Sequence, residues 1–428
     1  MPETAAAIAG RIAHVADSDA VLSGVDASAW QVRGRVPAAV VAPHTAERAA
    51  AILALCSEQG WSVECAGAGT WLRHGRTPAG VDVLLTTRHM TGVTEYVPAD
   101  LTVGVRAGTA VDDLRRDLSA HRQIVPLDGP ALPGASLGAM LATASAGPLR
   151  ASYGTPRDHV LGIELVTGDG RLLRFGGRVV KNVAGYDAVR LLVGSHGTLG
   201  LITSAHLRLF AEPERDVTLC ARAPEMEPLL DAAAAATSFE PSSLELVGTG
   251  TGWQLCARIR GNADAVEDAT GRLRAAVPVL EPVEGQAAVA LWRDLAMAEA
   301  EATTHIRLGN LRSRLGATIR HALDLVSVVT PLDWTIAAHA TAGIVRVFRN
   351  RGTAPTTAAA AAGIVESASR IRGAIAGEGG SLIVTVLPEN ADPAFDAHAA
   401  DPALLPLMRR LKEAFDPAGI LAPGRFVL

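Results

Sequence analysis

The stretch "ECAGAGTWLRHG", residues 64–75, brings glycine and alanine to the point where a strand predicted over residues 61–66 ends. Small residues let backbone N–H groups converge on an anion, because no side chain stands in the way. The residues after Gly69 do not read as a helix and no lysine follows them, so the loop fits neither the dinucleotide fingerprint nor the nucleoside triphosphate loop. Taken alone, it is either a tight turn or a phosphate cradle.

A second small-residue segment, "LPGASLGAMLATASAG", covers residues 132–147. It places Ser136, Gly138 and Ala139 where a flat or phosphorylated ligand could approach the backbone closely. The alternative is a helix that packs tightly through its alanines. Two such segments in one chain favour a ligand more than either does alone.

The bulk composition excludes several classes of protein. The chain has 428 residues, 49% of them apolar and 19% charged, which is enough for two or three packed domains. The net charge is −5 without a basic stripe, so we expect no nucleic-acid partner. No apolar run reaches about 18 residues, which predicts no direct membrane insertion. The four cysteines lack metal-binding spacing and are typical of reduced thiols in the cytoplasm.

Periodicity predicts an alternation of helices and strands. Thr45 is placed to cap a helix that ends at Gly60, and residues 111–122 form an amphipathic helix. Gly168-Asp169-Gly170 marks a hairpin turn, and residues 211–215 are the best linker candidate. Beyond them lies a second unit with both helices and strands, and a final helix is stopped by Asp416-Pro417.

The order of the glycine-containing segments is more specific than any one of them. In chain order they are "GAGT", "DLTVGVRAG", "PLDGPALPGASLGAMLA", "YGTPRDHVLGIELVTGDG", "VVKNVAGYD", "LLVGSHGTLGLIT" and "FDPAGILAPGRF". Together they resemble the FAD-binding domain shared by vanillyl-alcohol oxidase and para-cresol methylhydroxylase (PCMH). The wording "VVKNVAGYD" resembles the smaller flavin subunit of bacterial glycolate oxidase complexes.

This resemblance implies an α+β fold with a two-subdomain PCMH-type FAD-binding domain and an α+β cap domain. The expected organisation is an N-terminal helix and connection (1–35), the FAD-binding domain (36–212), the cap (213–400) and a C-terminal helix and tail (401–428) that packs on the FAD domain. Relatives that attach FAD covalently through this loop carry histidine where Thr70 stands, so noncovalent FAD is expected here.

The resemblance also assigns expected FAD-binding residues. The pyrophosphate loop and the phosphate and ribityl region would be formed by Ala66, Gly67, Ala68, Gly69, Thr70, Trp71, Ser136, Leu137, Gly138, Ala139, Gly147, Tyr153 and Gly154. The adenosine end would be approached by Gly197, Leu199 and Ile202.

Lys181 is a further candidate, because it and Lys412 are the only lysines among 39 basic residues. Its ammonium could lie near the flavin phosphates or the N1–C2=O edge, where positive charge stabilises reduced flavin. It could instead pair with Asp187 or Asp158, or be solvated. The scarcity of lysine on this chain favours the first two interpretations.

Oxidation of a 2-hydroxyacid needs an anchor for the carboxylate and a base for the hydroxyl. Relatives with this activity carry a cap-domain His-x-Gly-Asp-Gly-Asn-x-His stretch that supports a metal. In "HATAGIVRV", His339 matches the first histidine, but Arg346 stands in place of the second and the acidic and amide residues are missing. His339 and Arg346 are therefore the catalytic candidates, and no metal is expected. A structural histidine satisfied by backbone is the alternative for His339.

The predicted function is that of an FAD-dependent subunit that takes part in oxidation of a small 2-hydroxyacid such as glycolate or D-lactate. Electrons would pass to an iron–sulfur subunit or another acceptor, beside a catalytic flavin subunit. The alternative is a non-catalytic FAD-binding accessory subunit, and the incomplete cap motif predicts low activity of the isolated chain. The expected location is the cytoplasm, with any contact to the inner membrane made through a complex.

Overall fold

A computed structural model describes residues 4–16, 19–22, 27–178, 187–327, 333–350, 352, 356–392 and 395–426. Lys181 lies outside these ranges. The predicted α+β class is confirmed, because both helices and several separate β-sheets are present.

The N-terminal layer is a small parallel sheet covered by two helices. Its elements are α1 (Ala5–Val15), β1 (Ala39–Val41), α2 (Ala46–Gln59), β2 (Val63–Ala66) and β3 (Val83–Thr86). The strand order is β1-β3-β2. The predicted caps of α2 are confirmed: the Thr45 hydroxyl accepts the N–H of Arg48, and Gly60 ends the helix at φ 68°.

A second, antiparallel sheet follows with the strand order β4-β5-β9-β7-β8. Its strands are β4 (Val93–Val97), β5 (Thr102–Arg106), β7 (Val160–Val166), β8 (Leu172–Gly176) and β9 (Leu201–Arg208), while β6 (Gln123–Ile124) pairs with β10 (Phe210–Ala211). The accompanying helices are α3 (Val111–Ser119), α4 (Leu137–Thr143), α5 (Arg150–Tyr153), α6 (Pro156–His159) and α7 (Val189–Leu192). Val111, Leu114 and Leu118 form the buried face of α3, as its periodicity predicts.

The second half of the chain forms one eight-stranded antiparallel sheet, which we call the large sheet, with the order β14-β11-β13-β12-β16-β17-β15-β18. Its strands are β11 (Arg215–Ala223), β12 (Ser243–Thr249), β13 (Gly252–Gly261), β14 (Glu281–Val283), β15 (Thr304–Gly309), β16 (Trp334–His339), β17 (Ile344–Arg349) and β18 (Ser381–Val386). Its helices are α8 (Glu227–Thr237), α9 (Ala263–Ala276), α10 (Gly285–Ala300), α11 (Leu315–Val326) and α12 (Ala358–Gly377).

The two faces of the large sheet differ in chemistry. On β16 and β17, alternate residues such as Ile336, Ala338 and Val345 enter the apolar core that the helices cover. Because side chains alternate along a strand, His339 and Arg346 point to the opposite face. Helix α10 crosses that face, where Trp292 Nε1 donates to Thr218 Oγ1 at 2.9 Å.

The C-terminal segment returns to the parallel sheet. Helix α13 (Leu405–Phe415) ends at Asp416, as predicted, and the buried Asp416 carboxylate accepts the N–H groups of Ile420 and Leu421. Lys412 Nζ lies 2.7 Å from the same carboxylate. Leu421 then bridges in parallel to Val63 of β2.

The C-terminal segment contains a buried arginine, Arg425. The guanidinium of Arg425 pairs with Glu64 of β2 and donates to the carbonyl oxygens of Leu72 and His74 at 2.8 and 2.7 Å. Residues near the C-terminus therefore hold the loop that follows β2.

The sequence pattern did not identify β4, β12, β15 or α11. In β15, "THIRLG", and in β12, "SLELVG", charged and polar residues occupy the face opposite the core, so neither reads as an apolar strand without knowledge of what covers that face. Within the part of the chain that the structure describes, no helix is both long and apolar enough to cross a membrane.

Arg425→Ala should destabilise the protein by about 3–5 kcal/mol, because it leaves the Glu64 carboxylate buried without its partner. Arg410, exposed on α13, gives a matched Arg→Ala control that should change stability by less than about 0.5 kcal/mol. Urea unfolding followed by tryptophan fluorescence measures both. Equal midpoints for the two variants would contradict the role assigned to Arg425.

Candidate functional site

The two small-residue segments predicted from the sequence lie against each other. A Cβ at Gly67 would stand 1.8 Å from Ser136 Oγ, and a Cβ at Gly138 would stand 2.7 Å from the Cβ of Ala107. Ser136 caps α4, and Thr86 Oγ1 donates to the Gly67 carbonyl at 2.6 Å. The absence of a side chain at Gly67 lets the loop after β2 approach the start of α4, and the absence of one at Gly138 lets α4 approach Ala107 after β5.

Two connected cavities open beside this contact. The smaller has a volume of about 70 Å³ and the larger about 690 Å³. Thr70, Trp71, His74, His196 and Phe426 line both, so the two form one continuous space. This space lies between the glycine loops and the polar face of the large sheet.

Most of the predicted FAD-binding residues line this space. The smaller cavity is lined by Ala66, Gly67, Gly69, Thr70, Trp71, Gly138, Ala139, Gly197 and Ile202. The larger is lined by Thr70, Trp71, Gly147 and Leu199, and also by the predicted catalytic residues His339 and Arg346.

The other predicted residues lie beside the cavities. Ala68 is exposed, and Ser136 and Leu137 are buried where α4 begins. The Tyr153 ring packs edge-on against Phe210 with centroids 5.1 Å apart, and Gly154 ends α5 at φ 87°. These positions support the walls of the site.

Lys181 falls outside the described residues, but both acids proposed to pair with it already have partners. The Asp187 carboxylate lies 2.8 Å from Arg190 Nε. Asp158 accepts from the backbone N–H and the hydroxyl of Thr155 at 2.7 and 2.8 Å. The flavin-adjacent role of Lys181 stays a prediction.

The residues present fit a flavin nucleotide. Thr70 Oγ1 is buried and has no hydrogen-bond partner within the described part of the chain. An orphaned hydroxyl in the wall of a cavity is expected to bind a polar group of a ligand. Together with the glycine contact, it gives the loop a donor and a close backbone approach, which are what a phosphorylated cofactor needs.

Histidines at the junction of the cavities are held neutral. Burial lowers the pKa of His196 to about 3 and that of His398 to about 4. The ring of Phe426 stacks on His196 with centroids 4.6 Å apart. The junction is therefore an uncharged aromatic surface at neutral pH, suited to a flat ring system.

The polar face of the large sheet holds a buried ionic network. Glu245 of β12 lies directly opposite His339 of β16, and its Oε1 is 2.9 Å from Nδ1 of His339. The Glu245 Oε2 accepts a hydrogen bond from Arg346 Nη2. Arg346 Nη1 lies 3.1 Å from Oε2 of Glu299 on α10. His305 Nε2 lies 3.0 Å from Glu299 Oε1. One guanidinium thus joins two carboxylates, each of which contacts a histidine.

This arrangement explains the pKa of Arg346. Burial alone would lower it, but the carboxylates of Glu245 and Glu299 outweigh burial and raise the pKa. For Glu299, burial raises the pKa. Arg346 and His305 lower it by more than that, so the pKa lies below its usual value. Each carboxylate lies beside a histidine, so a positive charge formed on either imidazole would have an adjacent negative charge.

His339 is not satisfied by backbone groups. Its Nδ1 lies 2.9 Å from Glu245 Oε1 without hydrogen-bond geometry, and both ring nitrogens are buried without a hydrogen-bond partner among the described residues. The ring therefore has a carboxylate on one side and its Nε2 available to a substrate. Arg346 is engaged with two carboxylates, so it is better placed to position Glu245 and Glu299 than to bind an acid itself.

Two other arginines line the larger cavity without an ion pair or side-chain hydrogen bond in the described part of the chain. They are Arg150 of α5 and Arg307 of β15. Burial lowers the pKa of both, and for Arg150 the nearby Arg307 and Arg346 lower it further. An anion in this cavity would relieve the burial cost and the repulsion between these cations.

Asp128 fixes the segment that carries Arg150. It is half-buried and accepts the backbone N–H groups of Gly147 and Leu149 at 3.0 and 2.6 Å. A Cβ at Gly147 would stand 2.2 Å from the Asp128 carbonyl oxygen, so glycine is required there. The pKa of Asp128 is raised by burial, which these hydrogen bonds offset only in part.

Sequence reasoning missed Glu245, Glu299 and Arg150. The signal for Glu245 is weak but present, since it alternates with Leu244 and Leu246 in "SLELVG" and so faces away from the core. No comparable signal marks Glu299 on α10 or Arg150 on a four-residue helix. Within the described residues, no group of histidine, cysteine and acidic side chains is arranged to hold a metal ion.

Comparisons with known proteins agree with this geometry. Residues 37–176 match the FAD binding domain family, and residues 313–426 match the C-terminal domain of FAD linked oxidases. The chain resembles glycolate oxidase subunit GlcD of Bacillus subtilis, with 28% identity over 91% of this chain and 89% of that protein. It also resembles glycolate oxidase subunit GlcE of Escherichia coli, with 40% identity over 32% of this chain and 39% of that protein.

A solved structure shares the fold. Alkyldihydroxyacetonephosphate synthase aligns with a TM-score of 0.67 at 16% identity, over 91% of this chain and 77% of that one. At this identity the likeness concerns the fold alone, and it confirms the expected PCMH-type architecture.

Gly69→Asp should abolish FAD binding, because a carboxylate would face the cofactor's phosphates. Gly69 also has a φ of 81°, so Gly69→Ala serves as a variant with the same backbone strain and no charge. Gly80→Asp, at a site with no neighbour within 4 Å, controls for the added charge. Flavin absorbance near ~370 and ~450 nm in the purified protein is the measurement. Retained absorbance in Gly69→Asp would contradict the assigned loop, and wild-type protein that is colourless and takes up no added FAD would contradict the site.

Proposed function

Because this chain is an FAD-linked oxidoreductase, built from the FAD-binding domain and the C-terminal domain of the FAD-linked oxidases, we propose that it oxidises a small 2-hydroxyacid such as glycolate or D-lactate. The observation that carries this proposal is the Glu245–His339 pair in the wall of a cavity that also contains two arginines without an ion pair among the described residues. When bound, FAD supplies the two-electron acceptor for the hydrogen on the substrate's α-carbon.

His339 is the proposed base for the substrate hydroxyl. Its Nε2 takes the proton, and the Glu245 carboxylate, 2.9 Å from Nδ1, stabilises the imidazolium that results. The chain can therefore offer a base beside a carboxylate without the second histidine that the sequence lacks.

Arg150 and Arg307 are proposed to bind the substrate carboxylate. A guanidinium donates two parallel hydrogen bonds to a carboxylate, which fixes the orientation of a small acid as well as its position. The two arginines come from opposite walls of the cavity, one from α5 and one from β15. Substrate binding would thus join the glycine-loop side of the site to the large sheet.

The electrons are proposed to leave through an iron–sulfur partner. Two relatives of the chain are named as subunits of glycolate oxidase, which suggests a multisubunit assembly. The four cysteines of this chain are split between Cys56 and Cys65 near the parallel sheet and Cys220 and Cys256 in the large sheet. They cannot together ligate a cluster, so the iron would belong to another subunit. Purification of the native complex, with iron analysis and identification of its subunits, tests this.

An accessory role is the alternative function. The incomplete cap motif favours it, since relatives that bind a metal there have residues that this chain lacks. His339 beside a carboxylate, and the two arginines without an ion pair among the described residues, support catalysis by this chain instead. The isolated chain, assayed for dye reduction with glycolate, D-lactate and other 2-hydroxyacids, distinguishes the two. Turnover above ~1 s⁻¹ supports catalysis by the chain itself.

His339→Ala should lower kcat by roughly 10²–10⁴-fold, because the hydroxyl proton loses its acceptor. His321→Ala is the matched control, since that histidine pairs with Glu378 outside the cavity. Both are measured by steady-state dye reduction on flavin-loaded protein. If His339→Ala has wild-type turnover in the isolated chain or in the complex, His339 is not the base and the accessory role gains support.

Arg307→Ala should raise KM for the hydroxyacid by roughly 10–10²-fold, because the substrate loses a charge-assisted hydrogen bond. Arg307→Lys should recover part of this loss, because charge returns without the bidentate geometry. The flavin spectrum should stay unchanged in both variants. An unaltered KM in Arg307→Ala would exclude this residue as a carboxylate anchor, and Arg150→Ala then tests the other arginine.

A further inference from the structure

Two cysteines lie side by side on neighbouring strands of the large sheet. Cys220 of β11 pairs directly with Cys256 of β13, and their Sγ atoms lie 3.1 Å apart. Both are free thiols. Directly opposed residues of antiparallel strands have Cα atoms about 4.5–5.5 Å apart, which is within the range of about 4.4–6.8 Å that a disulfide bridges.

The pair belongs to a row of residues that runs across the sheet to the proposed base. Cys256 lies opposite Glu245 of β12, and Glu245 lies opposite His339 of β16. Opposed residues of an antiparallel pair share a face and contact each other. Cys220, Cys256, Glu245 and His339 therefore form four consecutive positions on the polar face.

We propose that Cys220 and Cys256 form a reversible disulfide when the protein reacts with hydrogen peroxide. This bond lowers activity because it moves Cys256, the cross-strand neighbour of Glu245. The site is thus a place of oxidative modification within the large sheet. Its effect on activity rests on the proposed function, whereas formation of the bond does not.

Cys220 is the thiol that reacts first. It is the more exposed of the two, at 8% against 2% for Cys256. The hydrogen bond shared with Cys256 lowers the pKa of the Cys220 thiol, and Gln254 and Arg222 act in the same direction. The same hydrogen bond raises the pKa of Cys256, which is also more deeply buried. The thiolate is the reactive form, so peroxide meets it at Cys220.

The chemistry balances with one molecule of peroxide. The Cys220 thiolate attacks one peroxide oxygen, the O–O bond breaks, and a sulfenic acid forms; the hydroxide that leaves takes up the proton that the thiol had given up and becomes water. The sulfur of Cys256 then attacks the Cys220 sulfur, the S–O bond breaks, and a second water leaves with the thiol proton. Two thiols and one hydrogen peroxide give one disulfide and two waters, and the two electrons lost by sulfur reduce the peroxide.

The bond should act on the proposed active site through position. Closure draws Cys256 toward β11 and away from Glu245, which lies beside the His339 ring. Misplacement of a catalytic group by about 1 Å can cost roughly 10²-fold in rate. We therefore expect oxidation to lower kcat by roughly tenfold or more, with recovery in dithiothreitol.

Formation of the bond is tested without any assay of activity. Flavin-loaded protein is treated with hydrogen peroxide, alkylated, digested and mapped by mass spectrometry with and without reductant. The expected result is a Cys220–Cys256 linkage, with Cys56 and Cys65 still alkylated. Cys220→Ala should abolish the linkage, whereas Cys56→Ala should not. Four alkylated thiols after treatment, or a linkage to Cys56 or Cys65, would overturn the proposal.

The effect on activity is measured on the same samples. Wild-type protein should lose dye reduction on oxidation and regain it in dithiothreitol, while Cys220→Ala, or Cys220→Ser should that variant fold poorly, keeps wild-type turnover throughout. A mapped disulfide with unchanged turnover refutes the regulatory part. A mapped disulfide in a chain that has no hydroxyacid activity under any condition refutes the proposed function and leaves the modification site standing.

Discussion

Arg425 is 3% exposed, and its guanidinium binds groups of a distant segment of the chain. It pairs with Glu64 of β2 and donates to carbonyl oxygens of the loop that follows the glycines. The next residue, Phe426, lines both cavities. The position of the phosphate loop and the shape of the flavin-sized space therefore depend on a contact between residues more than three hundred positions apart. Burial of both charges makes this contact costly to break, since either partner alone would be unpaired in an apolar layer.

The lysine–aspartate pair in α13 supports the same closure. Lys412 donates to the carbonyl oxygens of Thr198 and Leu421 and pairs with Asp416, which in turn binds two backbone N–H groups of the tail. A compact ammonium with three donors can reach three oxygens at one point, which a planar guanidinium cannot do. This gives a physical reason for one of the two lysines in a chain that otherwise uses arginine.

On the opposite wall, a single guanidinium organises the candidate catalytic groups. Arg346 stands where the sequence motif of metal-binding relatives has a histidine, and it lies between two carboxylates that each contact an imidazole. A fixed cation between two acids holds both in place and neutralises one of them. In this chain a guanidinium therefore organises the candidate site, whereas relatives with the full motif have residues that support a metal there. Arg150 and Arg307 have no ion pair or side-chain hydrogen bond among the described residues, whereas Arg346 lies within ion-pair distance of both acids, so Arg150 and Arg307 are the arginines available to an anionic substrate.

The sequence by itself determined the glycine-loop half of the site. The runs of small residues around positions 67, 138 and 147 and the cap of α2 are legible along single stretches of chain. The contacts that require glycine at those three positions come from distant segments, namely Ser136, Ala107 and Asp128. It also predicted His339 as a catalytic candidate, since the cap motif is partly retained. Only the tertiary structure decided the rest. Glu245, Glu299 and Arg150 come from a strand, a helix and a short turn of helix, separated by tens of residues or more. Strand order, which brings Glu245 beside His339 and Cys256 beside Glu245, is fixed by pairing across the sheet and leaves no local mark on the residues that it joins.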